Sequence, residues 1–121
     1  MNKFLKPKLN QGEYVFALTN NIDGINEEDI LCLFKEDGKY SLILKKEFAN
    51  KYGMSYNFVA AWISLDLYSS LDSVGLTSMF SKALSDNNIT CNVVAAFNHD
   101  HIFVNYNDKE LAFEILNKLN F

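Results

Sequence analysis

Two histidines flank an aspartate at His99-Asp100-His101, inside the otherwise apolar stretch VVAAFNHDHIFV. Imidazole and carboxylate groups bind transition metals and exchange protons near neutral pH, so this triplet is the first place to look for chemistry. The chain contains only these two histidines. Whether the triplet forms a site or only a turn depends on the elements that position it.

The neighbouring residues predict a β-hairpin whose two-residue loop is His99-Asp100. In that register Phe97 pairs with Ile102, and aspartate at the bend tolerates a left-handed backbone. The pairing places one set of side chains on a single face: Cys91, Val93, Ala95, Phe97, Ile102, Val104 and Tyr106.

In this hairpin His99 points from the tip, while His101 shares the opposite face with Asn92. The two imidazoles therefore diverge. No cysteine or third histidine is near enough in this register to complete a metal site, so we expect no bound metal. The triplet is interpreted mainly as a turn, and the face with His101 and Asn92 as one that could meet a partner or ligand.

Other reactive side chains do not assemble into a catalytic pattern. A nucleophile at Ser69, Ser70 or Cys91 would need a histidine beside it, and both histidines belong to one hairpin tip. No pair of carboxylates has a spacing that forces the two together. We therefore expect neither an enzyme nor a cofactor.

The cysteines Cys32 and Cys91 lie far apart, each in an apolar run, without CxxC spacing. Such residues are usually buried, reduced thiols, with a redox pair or metal ligand as the alternative, and they favour a reducing compartment.

Composition narrows the class of protein further. With 121 residues and 49% hydrophobic content, the chain has the size of a single domain and can bury an ordinary core. The net charge is −4, and all 11 basic residues are lysines. Without arginine forks or a lysine cluster beyond Lys45-Lys46, nucleic acid is not an expected partner.

No apolar run approaches the roughly 20 residues that span a bilayer, so we expect a soluble, cytoplasmic protein without a membrane partner.

Hydrophobic periodicity predicts alternating strands and helices. Residues 1–13 form an arm, and Asp37-Gly38 forms a hairpin turn that places Leu31 opposite Leu44. A capping-box-like start at residues 107–110 opens the last helix, which buries Leu111 among others. The remaining elements are a strand at Tyr14–Thr19, a loop at 20–29, a short helix at 47–52, a strand at 58–68, a helix from residue 73 with an apolar stripe, and a final helix ending near residue 119.

From residue 58 the order is strand, helix, strand, strand, helix, and the first half repeats it weakly without its long helix. This predicts an α+β fold of two ferredoxin-like βαββαβ units, with antiparallel sheets, helices on one face, and a degenerate first unit. The expected domains are residues 1–57 and 58–121. The strand at 58–68 could belong to the first unit, to the second, or to both.

The segment VGLTSMFSKALSDNNITCNVV at 74–94 resembles the start of an ACT domain. The flanking LDLYSSLDSVGLTS, HDHIFV and LNQGEYVFAL extend the resemblance over nearly the whole chain, to short bacterial proteins made of two ACT-like units. The resemblance implies a regulatory protein that binds an amino acid or similar small metabolite at an interface between domains. The segment NNIDGINEED lacks the glycine-loop-helix signature, so site expectations extend only to the second unit.

The expected ligand site is the loop that leads into the helix after residue 73. Amides at a helix N-terminus and the helix dipole favour a carboxylate, and Asp72 suits an ammonium group. By the resemblance, a polar side chain near Asn92 touches the ligand. One alternative for the loop is that it only caps the helix, with its glycine needed only for packing. The alternative for Asn92 is that its side-chain amide is an ordinary group at the edge of a strand. The candidate ligand-binding residues are Ser70, Asp72, Val74, Gly75, Leu76, Thr77 and Asn92.

A different class of function stays open. Apolar second faces on both hairpins need a cover, which favours a homodimer and is also compatible with a structural or protein-interaction adaptor without a small-molecule ligand.

Overall fold

The computed structural model describes residues 3–68 and 71–120, which divide into two compact units. The N-terminal unit is Gly12–Ala60, and the C-terminal unit combines Met1–Gln11 with Ala61–Phe121. The first residues of the chain therefore belong with its last ones, and the N-terminal unit is inserted between them. The predicted boundary after residue 57 stays a prediction.

The N-terminal unit contains the predicted strand, the hairpin and the short helix. Its strand order is β3-β4-β2-β5, and all pairings are antiparallel. A 3-10 turn at Glu27–Asp29 stands where the other unit has a long helix. The elements are β2 (Tyr14–Thr19), β3 (Ile30–Glu36), β4 (Lys39–Lys45), α1 (Lys46–Lys51) and the first residues of β5 (Val59–Leu65).

The hairpin turn at Asp37-Gly38 follows the sequence closely. Both residues have positive φ, +49° and +76°, as a tight two-residue turn requires. Leu33 pairs with Leu42, in the register that a turn at Asp37-Gly38 requires. The expected pairing of Leu31 with Leu44 is wrong, because a bulge between Ile30 and Cys32 brings Ile30 opposite Leu44 instead.

The C-terminal unit has the strand order β1-β5-β7-β6. Its helices cover one face of the sheet, where Phe80 and Leu84 of the first helix and Leu116 of the second are fully buried in the core. The elements are β1 (Pro7–Leu9), the rest of β5, α2 (Leu76–Ser85), β6 (Asn92–Ala95), β7 (Asp100–Asn105) and α3 (Lys109–Lys118).

The N-terminal arm is a structural part of this unit. Strand β1 pairs antiparallel with β5, with Leu9 opposite Ile63, and Leu5 is fully buried in the core. The arm supplies the fourth strand that a βαββαβ unit needs, and β5 serves both units: Val59 and Ala60 pair with β2, while its later residues pair with β1.

The second hairpin turns two residues earlier than predicted. Val93 pairs with Ile102, and the amide of Ala96 donates to the carbonyl of His99 at 3.1 Å, so Phe97-Asn98 is the loop. Asp100 lies in β7 without a positive φ. Phe97, expected on the apolar face, is 86% exposed. Moving the turn by two residues shifts each cross-strand partner by four, so that Val93 faces Ile102 instead of Tyr106. Because this shift is even, the paired side chains keep their faces, and the apolar pattern could not distinguish the two registers.

The start of the last helix also differs from prediction. Asn105, rather than the residues at 107–110, provides the side-chain cap, accepting from the amide of Asn107 at 3.0 Å ahead of a 3-10 turn. Helix α3 buries Ala112 and Leu116, but Leu111 is 47% exposed. Within the described ranges, no helix is long and apolar enough to cross a membrane.

Candidate functional site

The predicted ligand loop ends at the N-terminus of α2, and Gly75 sets its backbone. Gly75 is the N-cap residue with φ of +95°, and its carbonyl accepts from the amide of Met79 at 3.0 Å. No other described atom lies within 4 Å of the position of a Cβ at Gly75. The glycine is therefore required by its left-handed conformation rather than by packing.

The residues around Gly75 lie together on the surface. Asp72 and Thr77 are exposed and Val74 is 97% exposed, whereas Leu76 packs against the core beneath the helix. The amides of a first helical turn have no partner within the helix, so the loop presents donors beside a carboxylate at Asp72. Ser70 lies outside the described residues.

Asn92 lies on a different element, at the first position of β6. Its side-chain amide donates to the carbonyl of Phe103, its hairpin partner, at 3.4 Å. This contact matches the strand-edge alternative. A role for Asn92 in binding a ligand stays a prediction.

A second group of polar and aromatic side chains surrounds the two histidines. The indole N–H of Trp62 donates to Nδ1 of His101 at 3.0 Å, and the ring of Tyr68 lies 4.5 Å from that of His99. Trp62 also stacks on Phe103, with ring centroids 6.5 Å apart. The histidines therefore do not diverge as predicted, because the earlier turn places both on the same side of the hairpin.

Burial and neighbouring charges shift the pKa of His101. Burial, with the neighbouring His99, lowers the pKa of His101 from its ordinary value of 6.5, against the opposing effect of Asp100 and Asp66. His101 is therefore neutral at pH 7. Sequence reasoning missed the contact with Trp62 because the two residues are far apart in the chain, and only the strand order brings β5 beside β7.

The N-terminal unit contains two open cavities at opposite ends of β2. One, of about 400 Å³, is lined mainly by polar residues of the loop after β2 and by residues after α1, among them Asn21, Asp23, Tyr52 and Ser55. The other, of about 370 Å³, lies where β4 meets α1, and the ion pair between Lys46 and Glu13 spans 3.6 Å at its wall. No site was predicted in this unit.

Burial raises the pKa of the Cys91 thiol, which keeps it protonated and unreactive at neutral pH. Across residues 3–68 and 71–120, no three histidine, cysteine or acidic side chains are grouped so as to hold a metal ion.

Comparisons with solved structures find the same fold over nearly the whole chain. A protein of unknown function from Vibrio cholerae, described as a possible transport protein, is 31% identical with a TM-score of 0.88, covering 97% of this chain and 90% of that one. A protein from Agrobacterium tumefaciens is 21% identical with a TM-score of 0.70, covering 94% and 87%. Aspartokinase alpha and beta subunits are 10% identical with a TM-score of 0.65, covering 96% and 97%. The last two likenesses show the fold alone.

The fold is thus a pair of ferredoxin-like α+β units, which confirms the predicted fold class. Two family models described as the ACT domain match the sequence, one over residues 2–61 and the other over residues 58–118. The chain belongs to the ACT domain family, as the sequence resemblance indicated, and is a regulatory ACT module. No curated protein matches the sequence.

Proposed function

We propose that the chain binds an amino acid or a related small metabolite and acts as a non-enzymatic sensor. The observation that carries the proposal is the exposed loop at the start of α2, where Gly75 holds a left-handed cap three residues after the exposed Asp72. A free amino acid has the matching charges, because its carboxylate suits the helix amides and its ammonium group suits Asp72.

The proposed contacts follow the order of the chain. The backbone amides from Val74 to Thr77 hold the carboxylate of the ligand, while Ser70 and Asp72 contact its ammonium end. Asn92 contributes from β6. In keeping with the family, this site lies at an interface between subunits.

The proposal is tested by thermal-shift and calorimetric titration with each common amino acid and nucleotide. Wild-type chain should bind at least one of them. Asp72→Asn should weaken binding about tenfold to a hundredfold, as expected for the loss of a charged hydrogen-bond partner. Asp86→Asn is the matched control, since it removes the same charge from the other end of α2. Equal effects of the two substitutions, or no binding by wild type, would refute the site.

A second candidate function, a protein-interaction adaptor without a ligand, is favoured by one surface of the N-terminal unit. Leu18 and Phe34 are 57% and 70% exposed, and both pair with Ser41, so they lie in one row across three strands. Large apolar side chains exposed together on one surface favour a contact with another protein.

We infer that a second copy of the chain covers this row, giving a cytoplasmic homodimer. Sedimentation analysis should give a dimer for wild type and a shift toward monomer for Phe34→Ser. If a partner protein remains bound and every ligand leaves the melting temperature unchanged, the adaptor function replaces the sensor.

A further inference from the structure

The hydrogen bond between Trp62 and His101 fixes the protonation state of the histidine. An indole N–H can only donate, so Nδ1 of His101, 3.0 Å away, must accept and carries no proton. His101 is therefore the neutral tautomer with its proton on Nε2. A proton added at Nδ1 would turn the acceptor into a donor and break the contact with Trp62.

His99 stands two residues earlier and contacts the chain just beyond β5. Its ring centroid lies 4.5 Å from that of Tyr68, and its Nε2 atom is buried without a hydrogen-bond partner among the residues that the structure describes.

The charged groups around this pair oppose one another. His101 faces His99 and Asp100 on its own hairpin and Asp66 after the end of β5. His99 disfavours a positive charge on His101, whereas the two carboxylates favour it.

Tyr68 and Asp66 also begin the connection from β5 to α2, which continues to the proposed ligand residues at Asp72 and Gly75. We propose that His101 is a pH-sensitive switch: its neutral imidazole holds Trp62 of β5, and protonation at Nδ1 breaks this contact and weakens ligand binding at the end of the connection that follows β5. The first step stands on the contacts alone, and only the last step rests on the proposed function.

The first step is tested by fluorescence of the full chain, because Trp62 is its only tryptophan. Between about pH 8 and pH 5, wild-type emission should change in one transition, with the far-ultraviolet circular dichroism unchanged. His101→Asn places an amide oxygen near the position of Nδ1 but cannot titrate, so it should keep the emission of the neutral form and lose the transition.

A second variant separates the switch from a merely structural contact. His99→Gln removes the neighbouring like charge, so the midpoint of the transition should rise while the transition itself remains. An unchanged midpoint in His99→Gln, a transition that persists in His101→Asn, or a flat wild-type titration would each overturn the switch.

The last step uses whichever amino acid wild type binds most tightly in the titrations described above. Its affinity should fall about fivefold from pH 8 to pH 5, as expected for the loss of one hydrogen bond, and should stay nearly constant in His101→Asn. A fluorescence transition without any amino-acid binding would refute the proposed function and leave the switch standing. An equal affinity loss in wild type and His101→Asn would refute the coupling between them.

Discussion

Replacing Leu5 with alanine should destabilise the C-terminal unit, although Leu5 precedes the whole N-terminal unit in the chain. The side chain is fully buried among core residues that include Ile63 and Leu116, and its carbonyl accepts from the amide of Leu67 at 3.3 Å. Shortening a buried leucine to alanine costs about 3 kcal/mol. For a chain of this size we expect roughly 4 °C per kcal/mol, so the melting temperature should fall by roughly 12 °C.

The assay is urea and thermal unfolding followed by circular dichroism. Lys8→Ala is the matched control, because Lys8 is exposed on strand β1 of the same arm and should change the stability by less than about 0.5 kcal/mol. If Leu5→Ala unfolded at the same temperature as Lys8→Ala, the arm would not be part of the core, and the C-terminal unit would lack its fourth strand.

Three further outcomes follow from the structure. Gly38→Ala should destabilise the first hairpin by about 1 kcal/mol in urea unfolding, because φ of +76° strains any side chain, and an unchanged midpoint would contradict the turn. The lowered pKa of His101 means that the unfolded chain binds its proton more readily. The contribution of neutral His101 to the free energy of unfolding should therefore be complete above pH 6.5 and should decline as the pH falls below that value. The free energy of unfolding should decline less with pH in His101→Asn, and equal pH dependences of the two proteins would show that His101 is not the cause. Burial of Cys91 raises its pKa, so iodoacetamide at about pH 7.4 should label it more than roughly tenfold more slowly in the folded chain than in urea, and equal rates would show an accessible thiol.

Local patterns predicted the elements that depend on near neighbours. Asp37-Gly38 has the residue types that a two-residue turn requires, and the stripe containing Phe80 and Leu84 has the period of a helix facing a core. These signals predicted the fold class because each unit repeats the same order of elements. The loop at Gly75 was predicted from the same local signals, and the structure shows that a glycine stands there because the backbone is left-handed; its binding of a ligand stays a prediction.

Sequence reasoning failed where two arrangements satisfy the same pattern. Val93 and Ile102 lie on the core face whether the turn is at His99-Asp100 or two residues earlier, so the hydrophobic periodicity did not exclude His99-Asp100 as the turn. The burial of Leu5 and the bond between Trp62 and His101 arise from pairing with β5, across long stretches of chain. No local signal encodes such pairings, and the histidine contacts became visible only with the strand order.

The most direct test of the sensor function is a nitrogen-labelled NMR titration of the full chain with each common amino acid. One of them should shift the amide signals of Val74, Gly75, Leu76 and Thr77, with a smaller shift at Asn92. Shifts confined to the N-terminal unit, or no shifts with any amino acid at saturating concentration, would contradict the sensor function.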